Sequence, residues 1–104
     1  MFMDRLKVFE FSSKNKPFAY LQDKCIEEMS ELIKAILKAR ERGHVHSDDI
    51  EHEFADVHLM MQQLEYCYDG LTDGEFSRNV ALCEWAKCKK LWSIWHDGVI
   101  PEEK

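Results

Sequence analysis

Residues 17–42 read PFAYLQDKCIEEMSELIKAILKARER, and their spacing decides the fold. No Gly interrupts the run, and Pro17 suits the first turn of a helix, where a missing N–H leaves no bond unmade. Gly43 follows a last turn rich in Lys and Arg, as expected at a helix C-terminus. On a wheel of 100° per residue, Leu21, Cys25, Ile26, Met29, Leu32, Ile33 and Ile36 form one continuous apolar stripe. The spacing therefore predicts a long amphipathic helix from Pro17 to Arg42.

Working outward, residues 48–68 read DDIEHEFADVHLMMQQLEYCY and repeat the helical period. Asp48 with Glu51 has the form of a capping box, so a second long helix is expected from there to about Tyr68, ending before Gly70. Upstream, Met3 to Phe11 reads as a short helix with Leu6, Phe9 and Phe2 as apolar contacts, followed by a polar break from Ser12 to Lys16. Downstream, Thr72 with Glu75 is another capping-box candidate, opening a helix from Asp73 to about His96. The tail, Asp97 to Lys104, contains Gly98 and Pro101 and reads as irregular. The expected fold is all-α and four-helix bundle-like, in a single domain over residues 1–104. A chain of 104 residues suits one core rather than two.

Composition narrows the function. With 45% hydrophobic and 33% charged residues the chain is globular rather than disordered, and 4 Gly with 2 Pro leave little material for the turns of a many-stranded fold. A net charge of -6 argues against binding nucleic acid through a basic footprint and against docking on an anionic membrane. No run approaches the apolar length of a membrane span, and Met1 to Lys7 lacks the core of a signal peptide, so the default expectation is cytoplasmic. Cys25, Cys67, Cys83 and Cys88 form no CxxC pair and read as inert thiols.

The carboxylates carry the chemistry. Glu28 lies at the edge of the first apolar stripe, with Glu31 one turn on and Glu27 further towards solvent. In the second helix Met60 and Leu64 lie within about 20° of Glu53 on either side, and Ile50, Phe54, Val57 and Met61 continue that stripe. A Glu within an apolar face is costly if charged and unpaired. Asp56 stands at i+3 from Glu53, as Glu31 does from Glu28. Two antiparallel helices can bring these pairs together, and four clustered carboxylates repel one another unless cations intervene. Oxygen-only ligands favour magnesium, manganese or calcium over zinc or copper. Surface ExxE pairs are common in an acidic chain, and what singles these out is their recurrence on adjacent helices with one inside the stripe.

Other metal chemistries lack ligands. A ferritin-like di-metal bundle calls for two ExxH motifs, and the near matches Glu41–His44 and Asp49–His52 do not supply them. A zinc site from His44 and His46 with a cysteine lacks four ligands at ordinary spacing.

The segment EEMSEL (27–32), followed by EFADV (53–57), resembles the EExxEL…ExxDV pattern of the MazG-like all-α NTP pyrophosphatase superfamily, which includes dimeric dUTPases and dCTP pyrophosphatases. The resemblance spans about Pro17 to Leu64. It implies a four-helix arrangement usually completed by oligomerisation, here a homodimer or homotetramer. It also implies cleavage of a nucleoside triphosphate substrate between the α and β phosphates, giving monophosphate and pyrophosphate. By position Glu28, Glu31, Glu53 and Asp56 take the metal-ligand roles, with Mg2+ as the cofactor and Mn2+ as its substitute. One of them, or Glu27, orients the attacking water. The competing expectation is a non-catalytic helical interaction protein related to this family. Phe18, Tyr20, Trp85, Trp92 and Trp95 are candidates for base stacking, and Lys24, Arg78, Lys87 and Lys90 for phosphate contacts. All are residue types more often found in cores, interfaces or solvent, and none is assigned.

Overall fold

Among the described residues, four helices follow from four runs free of interior proline: α1 (Arg5–Asn15), α2 (Phe18–Glu41), α3 (Asp48–Thr72) and α4 (Glu75–Trp95). The computed structural model describes residues 4–95, and among these there is no strand, so the all-α expectation holds. The expected helix start at Met3, the contact from Phe2, the end at His96 and the irregular tail all lie outside the described residues. No helix among the described residues is long and apolar enough to cross a membrane.

Polar side chains set the boundaries. Asp4 caps α1 by accepting the Leu6 N–H at 2.9 Å. The polar stretch after Phe11 was expected to break the helix, yet α1 continues to Asn15. Ser13 Oγ donates to the Glu10 carbonyl and Asn15 Nδ2 to the Phe11 carbonyl, at 2.9 and 2.8 Å, so these side chains bond back onto the helix. Lys16 ends it in extended backbone (φ -124°, ψ 141°), the conformation that a following proline imposes.

Helix α2 closes on Gly43 at φ 72°, with the His44 N–H donating to the Ala39 carbonyl at 2.8 Å. Helix α3 is capped by Ser47, whose Oγ accepts the Ile50 N–H at 3.3 Å. The proposed Asp48–Glu51 capping box is not what closes it, because Glu51 turns to His46 at 2.6 Å. Gly70 does not end α3. The left-handed residues are Asp73 (φ 53°) and Gly74 (φ 79°), and the Gly74 N–H returns to the Asp69 carbonyl at 2.9 Å. Thr72 Oγ1 accepts the Phe76 N–H at 3.0 Å. Ser77 donates both its N–H and its hydroxyl to the Asp69 carboxylate.

The chain divides into two compact units, Met1–Tyr68 and Asp69–Lys104. In the first, α2 and α3 run antiparallel. Gln22 Nε2 donates to the Tyr68 hydroxyl at 3.1 Å, and Phe18 meets Tyr68 edge-on at 5.2 Å. At the other end, Ala35 and Lys38 share a groove with Asp49. The inner face of α2 is Leu21, Cys25, Glu28, Leu32, Ala35 and Ala39, and that of α3 is Ile50, Glu53, Val57, Met60, Leu64 and Cys67, all buried or half-buried. Both alternate steps of three and four residues, as a helix–helix seam requires.

This seam takes only part of the stripe seen on the wheel. Ile26, Met29, Ile33 and Ile36 are 57%, 39%, 59% and 41% exposed, and on α3 Phe54 and Met61 are exposed too. Helix α1 docks on α3 through Phe9, buried beside Tyr66, and through Gln63, which is 1% exposed and donates to the Phe9 carbonyl at 3.1 Å. Leu6, expected as an apolar contact, is exposed. In the second unit α4 buries no residue, and Trp85, Trp92 and Trp95 are all exposed, with the Lys89 ammonium 4.3 Å from the Trp85 ring centroid.

Gln63→Ala removes the bond to the Phe9 carbonyl and opens a gap under α1. It should cost about 1–3 kcal/mol in urea unfolding, with amide exchange rising first in α1. Equal exchange across α1 and α2 would show that Gln63 does not hold α1 down.

Candidate metal centre

Seam geometry puts carboxylates where aliphatic side chains would otherwise meet. Glu28 occupies an inner position on α2, one turn after Cys25, and Glu53 an inner position on α3, one turn after Ile50. Asp56 follows one turn beyond Glu53, on the exposed shoulder of the seam. Glu28, Glu53 and Asp56 each offer a carboxylate oxygen, and these three atoms lie within 4.8 Å of one another. Glu28 sits deeper than its place at the stripe edge implied, because the seam is rotated towards Ala35 and Ala39 and away from Ile26 and Ile33.

The electrostatics follow from that crowding. The Glu53 carboxyl is held above its ordinary pKa, first by desolvation, then by the charges of Asp56, Glu28, Glu31 and Asp49. No cation among the described residues offsets these causes. Lys24 Nζ stands 3.7 Å from both Glu27 and Glu28, and its ammonium is held above its ordinary pKa chiefly by Glu27, with Glu28 adding to it against an opposing desolvation. Lys24 is thus shared between Glu27 and Glu28 and does not act on Glu53.

The other two expected residues lie apart from the trio. Glu31 is half-buried, pairs with Lys34 at 3.4 Å, and lines an open groove of 390 Å³ with Lys34, Ala35, Lys38, Asp49 and Glu53. Glu27 is exposed and pairs with Lys24. Phe18 is committed to Tyr68, and Tyr20 lies under the Lys16 ammonium at 5.2 Å.

Lys34, Lys38 and Asp49 line the groove; the two lysines were not singled out from the sequence, and Asp49 was weighed only as part of Asp49–His52. The signal was present: Lys38 and Arg42 fall within about 20° of Glu31 on the α2 wheel, and Asp49 stands one turn before Glu53. A donor set made only of carboxylate oxygens fits a hard divalent cation such as magnesium, manganese or calcium. No thiol or imidazole takes part. All four cysteines are free, and burial pushes the Cys25 thiol up in pKa.

No family model matches the chain, and comparison with curated proteins and with solved structures returns no match.

A carboxyl whose folded pKa is raised binds its proton more tightly folded than unfolded. Its contribution therefore falls as pH rises from the ordinary carboxylate value through the raised one, and stays unfavourable above it. Metal-free Glu53→Gln should melt at or above the wild type at neutral pH, with the difference shrinking on acidification through that window. It should also gain much less than wild type from added magnesium, which binds only the folded site. Glu27→Gln should shift the melt less. Thermal melts with EDTA and with magnesium decide it, and a metal-free Glu53→Gln that melted well below wild type would mark Glu53 as a structural residue.

Proposed function

We propose that the chain is a magnesium-dependent nucleoside triphosphate pyrophosphohydrolase of the MazG-like kind, working in the cytoplasm. The observation that supports this best is the meeting of Glu28, Glu53 and Asp56 from two helices within 4.8 Å, with Glu53 uncompensated by any cation. Glu28, Glu53 and Asp56 would hold the metal, and Glu31, beside Glu53 in the groove, completes the set of four. When bound, magnesium, or manganese in its place, neutralises phosphate charge and makes water more acidic.

The protein's own residues then have simple tasks. The carboxylates orient water for in-line attack, and one of them, or Glu27, takes its proton. The new bond forms at the α-phosphorus as the bridge to the β-phosphate breaks, so monophosphate and pyrophosphate leave. Little covalent machinery is needed for such a transfer, which suits a site made of acids alone.

With magnesium, at least one nucleoside triphosphate should yield monophosphate and pyrophosphate, and chelation or Glu53→Gln should abolish the reaction. A panel of ribo- and deoxyribonucleotides scored for pyrophosphate against orthophosphate tests it. Diphosphate and orthophosphate as first products would sink the mechanism.

The second reading, a non-catalytic helical interaction protein, draws on the exposed apolar faces. Glu53 counts against it, since a seam glutamate with a raised pKa weakens the fold and serves nothing without a ligand. The apolar faces are better used in self-association, as a homodimer or a dimer of dimers. The exposed row Ile26, Met29, Ile33 and Ile36 and the tryptophans of α4 are the surfaces such an assembly would cover. Light scattering should return a multiple of the 12.4 kDa chain mass, and Ile33→Glu should lower it. A wild-type monomer at tens of micromolar would refute the assembly.

A further inference from the structure

Beyond the carboxylates, the same face of α2 carries cations. The groove that begins at Glu31 and Glu53 continues past Lys34 and Lys38 towards the end of α2, where an adjoining hollow is lined by Lys38, Arg42 and His44. The two hollows share Ala35, Lys38 and Asp49. They exist because the inner face of α2 turns from Leu32 to the small residues Ala35 and Ala39, which are buried and leave the floor low. Lys34 is tied to Glu31, whereas neither Lys38 nor Arg42 has an ion-pair partner among the described residues. Going along α2, the lining therefore changes from acids to unpaired cations within two turns.

We infer that Lys38, with Lys34, binds the terminal phosphates of the substrate, so that the polyphosphate tail lies along α2 from the carboxylates towards its C-terminus. This deepens the hydrolase proposal and rests on it. The α-phosphate sits at Glu28, Glu53 and Asp56, the pyrophosphate leaving group lies over Ala35 between Lys34 and Lys38, and the nucleoside points the other way. Glu31 and Lys38 are separated by about 10 Å along the helix axis. Side chains on a helix lean towards its N-terminus, which carries the Lys38 ammonium back towards the acids. Specificity for a triphosphate follows, since a diphosphate substrate is one phosphate too short to engage Lys38. The plainer role for Lys38, a cation complementing the C-terminal end of the helix dipole, affects stability and leaves phosphate binding alone.

The experiment is calorimetric titration of inorganic pyrophosphate in magnesium into wild type, Lys38→Ala, Lys34→Ala/Lys38→Ala, Lys38→Arg, and Lys89→Ala as a control on α4. Loss of a charge-assisted contact should weaken pyrophosphate binding about tenfold in Lys38→Ala and further in the double variant. Lys38→Arg should restore most of it, and Lys89→Ala should match wild type. Magnesium binding without pyrophosphate should be unchanged in Lys38→Ala, Lys38→Arg and Lys89→Ala, and KM for the triphosphate should rise more than kcat falls. Wild type that binds no pyrophosphate, or a double variant that binds it as wild type does, would overturn the inference. If pyrophosphate binding depends on Lys38 while no triphosphate is hydrolysed, the hydrolase proposal fails and the phosphate site stands. If triphosphates are hydrolysed and the lysines do not matter, the phosphate site alone fails.

Discussion

Two carboxylates sit where two helices must touch, and much of the first unit answers to that constraint. Leu21 and Cys25 on one side of Glu28, and Ala35 and Ala39 on the other, are buried, so Glu28 cannot swing away from the seam without its neighbours. Glu53 is held in the same way between Ile50 and Val57. The carboxylates are pressed together by hydrophobic burial on either side, which is indifferent to their charge. The result is a half-buried cluster with Lys24 as its nearest countercharge, reaching Glu28 and not Glu53. Such a cluster is stabilised by whatever brings positive charge to it, and that property links the packing to the chemistry.

The seam also explains the shape of the site. Where the inner face of α2 shrinks to alanine, a groove opens beside Glu31 and Glu53. Acids and lysines then line one trough because α2 places residues seven apart on nearly the same line. Helix α2 thus carries Glu28 and Glu31, two of the four proposed metal ligands, together with the cations inferred to hold phosphate.

A narrow seam leaves apolar surface over. The buried core comprises Phe9, Leu21, Cys25, Ala35 and Ala39, a small set of mostly small side chains, with the amide of Gln63 closing it under α1. The isoleucines of α2 and the tryptophans of α4 remain outside it. A fold with more apolar surface exposed than its core contains has reason to associate, and on α2 the uncovered row lies a third of a turn from the seam that holds the site.

Helices and carboxylate spacing were legible in the sequence because both depend on local geometry. A period of 3.6 residues places Glu31 one turn from Glu28 and Asp56 one turn from Glu53, on the same side of their helices whatever those helices pack against, and the proline at 17 and the glycine at 43 punctuate α2 through their own backbone preferences. Local rules misjudged the places where a side chain had two options. Ser13 and Asn15 bonded back onto α1 and extended it, Ser47 capped α3 in place of Asp48, and Gly70 stayed helical because Asp73 and Gly74 supplied the turn. Which half of the α2 stripe would be buried was beyond the sequence, because a wheel shows every apolar position alike and only the partner helix selects among them. That selection drew Glu28 inward and brought Lys38 and Asp49 into one groove. Spacing along one chain determined which residues share a face, while contact between chain segments distant in sequence decided which of those faces meet.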